Sequence, residues 1–188
     1  MVDPIQILPP SASSFTSLPL NWYGQPARYR AEYRLSLDNA TLRFDFRCDK
    51  PAQFEIAHHP GEFVEGLWEQ DVAELFVMGP EGMYQEFNVS PGGAWWCAVF
   101  STYREQERTF QCPSVVTRAS SRSECWTAGL SLELSDLLVL PGGDLSQARL
   151  QVASILCSGQ PEYLCSGHSS GGEPDFHRAE NFRPVRLA

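Results

Sequence analysis

Residues 41–48, Thr-Leu-Arg-Phe-Asp-Phe-Arg-Cys, limit the possible folds more than any other stretch of the chain. Leu42, Phe44, Phe46 and Cys48 fall on one side of an extended backbone, and Arg43, Asp45 and Arg47 fall on the other. A two-residue period of this kind describes a strand with one face in a core and one face in water. A slip of one residue would turn every apolar group outward, so the register is fixed by the pattern itself. Asp38-Asn39 supplies a turn and residues 29–37 begin the preceding strand, which predicts a hairpin over residues 30–48.

Similar short runs recur along the chain. Strands are expected at 53–57, 71–78, 84–90, 94–101, 113–119, 123–131 and 149–156, with a single helical turn near 134–139. Gly79-Pro80-Glu81-Gly82 and Pro91-Gly92-Gly93 are turn chemistry, so residues 71–101 read as a three-stranded meander. Residues 158–174 are rich in Gly and Ser and read as a long exposed loop, and a final strand is expected within 174–188. Many short strands without intervening helices predict an all-β fold: an antiparallel β-sandwich, jelly-roll or immunoglobulin-like, with short helical turns at most. Five prolines lie within residues 1–28, which are expected to form an extended leading segment packed on a domain spanning 29–188.

With 188 residues, the chain fits one domain that buries roughly 70% of its unfolded surface, enough for a core without disulfides. The cysteines Cys48, Cys97, Cys112, Cys125, Cys157 and Cys165 form no CxxC pair and match no zinc spacing, so no metal site is expected and buried free thiols are the reading. The N-terminus lacks a basic n-region and an apolar h-region, which argues against a secretion signal and predicts a cytoplasmic setting. A formal net charge of −9 repels phosphate backbones and anionic bilayers, excluding nucleic acid and membrane as expected partners and leaving neutral sugars, cations or small apolar ligands.

Three blocks carry a resemblance. Gly66-Leu67-Trp68-Glu69-Gln70-Asp71-Val72-Ala73-Glu74-Leu75-Phe76 resembles the signature of family 9 carbohydrate-binding modules and the wider DOMON-like group. So does Tyr84-Gln85-Glu86-Phe87-Asn88-Val89-Ser90-Pro91 with the Trp95-Trp96 pair after it, and Pro174-Asp175-Phe176-His177-Arg178-Ala179-Glu180-Asn181-Phe182 resembles the segment closing such domains. The resemblance implies a non-catalytic domain that binds a mono- or disaccharide end of a neutral carbohydrate, without a cofactor, in a shallow aromatic-walled pocket. Carried over by position, it implies Trp68 as one aromatic wall and Glu74 as a hydroxyl acceptor. Asn88 and Ser90 become polar strand positions, and Asp175, Phe176 and His177 the opposite wall and its neighbours. Phe176 stands where sugar-binding members carry tryptophan.

Strand parity adds to this from the residues alone. Glu74 lies opposite Ala73, Leu75 and Val77, and Glu86, Asn88 and Ser90 share the face opposite Phe87 and Val89. Two neighbouring strands therefore offer polar groups on a common face, which reads equally as a binding site or as the solvated side of a sandwich. Trp95 and Trp96 must point to opposite faces, and Trp126, alternating with Ala128 and Leu130, reads as core.

The resemblance also implies an alternative, a b-type haem held by His177 with Met78 or Met83. A third reading is a protein-interaction domain with no small ligand. Gly167-His168-Ser169-Ser170-Gly171 matches the GxSxG nucleophile elbow, but Gly171-Gly172-Glu173-Pro174 cannot start the helix that elbow needs. Asp71 and Glu74 differ in parity and should not share a cleft as a glycosidase pair.

Overall fold

In the computed structural model, described for residues 3–167 and 171–188, the chain forms two facing β-sheets. The strands are β1 (Ile5–Ile7), β2 (Thr16–Ser17), β3 (Ala31–Asp38), β4 (Thr41–Cys48), β5 (Val72–Met78), β6 (Tyr84–Val89), β7 (Trp95–Thr102), β8 (Glu105–Thr109), β9 (Val116–Ser121), β10 (Trp126–Glu133), β11 (Arg149–Leu156), β12 (Glu162–Cys165) and β13 (Arg183–Leu187). The smaller sheet runs β2-β3-β4-β10-β9. The larger runs β1-β13-β11-β5-β6-β7-β8, with β12 also paired to β11. The all-β sandwich expected from alternation is therefore present. Its helical content among the described residues is limited to short 3-10 turns, including one at Leu134–Asp136.

The 30–48 hairpin holds its expected register, with Leu35 opposite Phe44 and Asp38 opposite Thr41. Leu42, Phe44, Phe46 and Cys48 are buried against Leu75, Val77, Phe87, Val89, Trp95 and Val152 of the larger sheet, forming the core between the layers. Trp126 is part of that core, its ring tilted against Phe46 at a centroid distance of 5.1 Å. The six cysteines are free thiols: Cys48, Cys97 and Cys112 are buried and the other three half-buried.

The sequence reading needs four corrections. Residues 53–57 are not a strand. The Gln53 N–H donates to the Asp71 carboxylate at 2.7 Å, and the Ala57 and His58 amides donate back to Glu55 at 3.1 and 3.3 Å, so the segment satisfies itself locally and leaves Ile56 in solvent. The Gly/Ser-rich stretch is not wholly exposed, because it contains β12, whose Glu162 and Leu164 are buried. The final strand covers only Arg183–Leu187, and residues before it cross the outer face of the larger sheet. The sandwich is not purely antiparallel, since β1 pairs parallel to β13. His168, Ser169 and Ser170 of the GxSxG match lie outside the described residues.

The larger sheet is covered on both faces. Val72, Phe76, Met78, Tyr84, Trp96 and Phe100 point away from the smaller sheet and form a second apolar cluster. Trp22, Leu67, Phe176 and Phe182 from distant parts of the chain roof this cluster. Tight turns make the strands possible: Gly82 takes a φ of +86°, and a side chain at Gly79 would collide with the Val139 carbonyl oxygen.

Candidate functional site

Antiparallel register decides which side chains share the outer face. Glu74 lies opposite Asn88, Phe76 opposite Glu86 and Met78 opposite Tyr84. On the next strand Asn88 faces Trp96, Glu86 faces Ala98 and Tyr84 faces Phe100. On the other side Ala153 of β11 lies beside Glu74. Small alanines thus alternate with large rings and carboxyls across the sheet, which leaves the surface uneven, and a hollow of about 340 Å³ opens there.

Its walls come from three further elements. Gly66, at a φ of +87°, starts the 3-10 turn Leu67–Glu69, which buries Leu67 and leaves Trp68 at the rim, 37% exposed. The Trp68 ring meets Trp96 edge-on at 5.1 Å. Opposite comes the crossing segment with Pro174, Phe176 and His177. Phe176 is held edge-on to Trp22 at 5.9 Å, and its carbonyl accepts from the Gln151 side chain at 3.0 Å. The β7–β8 turn and β8 contribute Arg104 and Gln106.

Of the seven residues named from sequence, Trp68, Glu74, Phe176 and His177 line this hollow. The other three do not. Asn88 is fully buried beneath it, its amide donating to the Glu86 carboxylate at 2.9 Å. Asp175 stands behind the wall, accepting from the Tyr103 hydroxyl at 2.5 Å, from the Arg104 guanidinium at 3.0 and 3.2 Å and from the His177 amide at 3.1 Å. Ser90 lines a separate depression of about 270 Å³ beside Glu55, Glu65 and Glu69. Parity put Ser90 on the correct face, but it lies one residue past the end of β6.

Sequence reasoning missed Phe76, Phe100, Arg104 and Tyr163 as lining groups, left Glu86 as a parity neighbour, and assigned one of Trp95 and Trp96 to a pocket without choosing; it is Trp96 that lines the hollow. Neither Met78 nor Met83 lines the hollow, so the axial pair that a haem would need is not assembled there.

The electrostatics follow from burial. The Glu74 carboxyl is pushed well above its ordinary range, first by desolvation and then by the Glu86 charge. Desolvation raises Glu86 to about 7, with the Asn88 amide and Arg104 opposing the rise. Burial would push the Asp175 carboxyl up too, but the bonds from Tyr103, the His177 amide and Arg104 outweigh it and hold it below its usual range.

Burial, aided by Arg104, lowers His177 to about 4, so its ring is neutral at physiological pH. Its tautomer follows from its partner. The Arg104 N–H donates to the Tyr84 oxygen at 3.1 Å, which leaves the Tyr84 O–H to donate to His177 Nδ1 at 2.8 Å. The ring proton then sits on Nε2, which points toward Glu86 Oε2 at 3.9 Å. The hollow thus combines apolar walls, two protonatable acids, one imidazole donor and one guanidinium. This arrangement suits a small polyol presenting both apolar C–H faces and hydroxyls.

No protein-family model matches the sequence, and no curated protein matches it. Solved structures do match. A candidate carbohydrate-binding protein from Bacteroides uniformis superposes with a TM-score of 0.75 at 16% identity, covering 98% of each chain. The fold is similar to that of family 9 carbohydrate-binding modules. Such a module from Caldicellulosiruptor kristjanssonii, in complex with glucose, has a TM-score of 0.59 at 10% identity, over 98% of this chain and 96% of its own. One in complex with cellotriose has a TM-score of 0.61 at 10% identity, over 97% and 92%.

Proposed function

We propose that this chain is a non-catalytic carbohydrate-binding domain that takes a mono- or disaccharide end into the hollow on the outer face of its larger sheet. The observation that carries the proposal is convergence. Trp68, Glu74 and the adjacent Phe176 and His177 come from three separate stretches of sequence yet border one solvent-open space with aromatic rings and polar groups. Aromatic rings pack against the C–H face of a pyranose, while Glu74, Glu86, Arg104 and the His177 Nε2–H satisfy its hydroxyls. The fold adds support, because modules sharing it have been captured with glucose and with cellotriose.

Isothermal titration calorimetry against mono- and disaccharides, including neutral, acidic and amine-bearing ones, tests the proposal. Saturable binding that Trp68→Ala weakens about tenfold or more is expected. Silence across the whole panel rejects it.

A further inference from the structure

Among the described residues, Glu74 has no ion-pair partner in the hollow. Glu74 and Glu86 lie on adjacent antiparallel strands and on one face, offset by one cross-strand pair, so their carboxyls are diagonal neighbours. Both line the hollow, and their exposures are only 2% and 5%. Glu86 accepts one bond from Asn88, and no donor among the described residues reaches Glu74. The other charged or titratable groups around the pair are Arg104, His177, Tyr84, Tyr163 and Asp175. Arg104 is committed to Asp175 through two bonds of 3.0 and 3.2 Å. His177 approaches Glu86 no closer than 3.9 Å. A buried, unpartnered carboxyl aimed into a ligand-sized space calls for donors from outside the chain.

Resting on the carbohydrate reading above, we propose that the preferred ligand is a sugar end bearing a protonated amine, its ammonium seated on the Glu74–Glu86 pair. An ammonium brings three donors and the missing positive charge, whereas a hydroxyl brings one donor and no charge. The rings of Trp68, Phe76, Trp96, Phe100, Tyr163 and Phe176 around the same space favour an organic cation through their negative faces. A metal ion is a poor fit: calcium or magnesium needs six or more oxygens and zinc three or four protein ligands, and no cluster of three or more metal-ligating side chains occurs among the described residues. Burial raises both carboxyls, Glu86 to about 7, so seating an ammonium beside them must expel protons.

The test is calorimetric titration of the whole chain at about pH 6.5, where amines remain charged. Glucosamine, galactosamine and mannosamine are compared with their neutral parent sugars and their N-acetyl derivatives, in two buffers of different ionisation enthalpy. At least one amino sugar is expected to bind about tenfold or more tighter than its neutral parent and to release protons on binding, with both effects lost on N-acetylation. In Glu74→Gln and Glu86→Gln, which preserve side-chain shape, the ratio of amine to neutral affinity should fall toward one. The wild-type proton release stands as an independent measurement if either variant fails to fold. Neutral sugars binding as tightly as their amino counterparts would overturn this inference and leave the carbohydrate reading intact. No binding by any sugar overturns both.

Discussion

Glu86 shows how a single residue links the site to the stability of the fold. Its carboxyl rises from an ordinary 4.5 to about 7 on folding, so the folded chain holds that proton more tightly than the unfolded one. The corresponding stability is complete below pH 4.5, is lost as the pH rises through about 7, and changes little beyond. His177 acts in the opposite sense: its ring falls from 6.5 to about 4, so its contribution is present above 6.5 and lost as the pH falls through 4. Glu86→Gln removes only the first effect. It should change stability little at pH 4 and stabilise the fold by roughly 3 kcal/mol at pH 8, as read from urea denaturation across that range. A difference that stays flat with pH would mean the carboxyl is not desolvated. Trp68 sits at the opposite extreme of burial. Because it is a rim residue, Trp68→Ala should cost about 1 kcal/mol of stability while weakening ligand binding about tenfold or more, comparing denaturation with calorimetry. The parity that puts Glu74, Glu86 and Asn88 on one face was legible in the alternation of residues 72–90. Their burial was not recognised, although a signal for it exists: Val72, Phe76 and Met78 are apolar on the face opposite Ala73, Leu75 and Val77. A strand apolar on both sides is a strand covered on both sides.

At the level of elements, β3, β4, β5, β6, β7, β10 and β11 could be read from period and turn chemistry because each buries at least one regular face. The runs expected at 113–119 and within 174–188 overlap β9 and β13, whereas β8 and β12 were missed. In β8 every residue of Glu-Gln-Glu-Arg-Thr is exposed, so its pairing with β7 leaves no hydrophobic trace. Likewise β12 is four residues inside a Gly/Ser-rich stretch, and it exists because β11 offers it an edge. Residues 53–57 failed in the opposite way, since the Asp71 carboxylate captures their backbone. Asp71 is a junction: it accepts from buried Lys50 Nζ at 2.5 Å, from the Gln53 amide at 2.7 Å and from the Cys157 amide at 2.6 Å, joining the end of β4, the start of β5 and the end of β11. Asp71→Ala would strand an ammonium that is 2% exposed and should destabilise the fold by about 3–5 kcal/mol in urea denaturation. Adding Lys50→Met should recover a large part of that loss, because it removes the uncompensated charge. No recovery would place the cost in the two backbone bonds instead.

Across the whole molecule, the least legible feature is that distant N- and C-terminal segments together build the side that carries the hollow. Five prolines within residues 1–28 suggested an extended segment, and extended it is, but β1 adds to the larger sheet beside β13 while β2 adds to the smaller one beside β3. After them Trp22 is fully buried on the outer face. Its backbone N–H donates to the Tyr163 carbonyl at 2.7 Å, its indole N–H donates to the Gly172 carbonyl at 3.0 Å, its ring edge meets Phe176, and the Arg178 guanidinium lies 5.3 Å over its face. Residue 22 thus anchors a crossing segment some 150 positions away, and through Phe176 it supports a wall of the hollow without lining it. No local pattern encodes such a contact, because its two halves share neither a strand nor a turn. Trp22→Ala should cost about 3–5 kcal/mol, as large aromatic truncations in a closed core do. It should also act at a distance, speeding amide hydrogen exchange in residues 171–178 and weakening ligand binding several-fold, while leaving exchange in the β3–β4 hairpin unchanged under native conditions. Protection lost equally from the hairpin and the crossing segment would mean that the N-terminal anchor serves global stability and not the shape of the hollow.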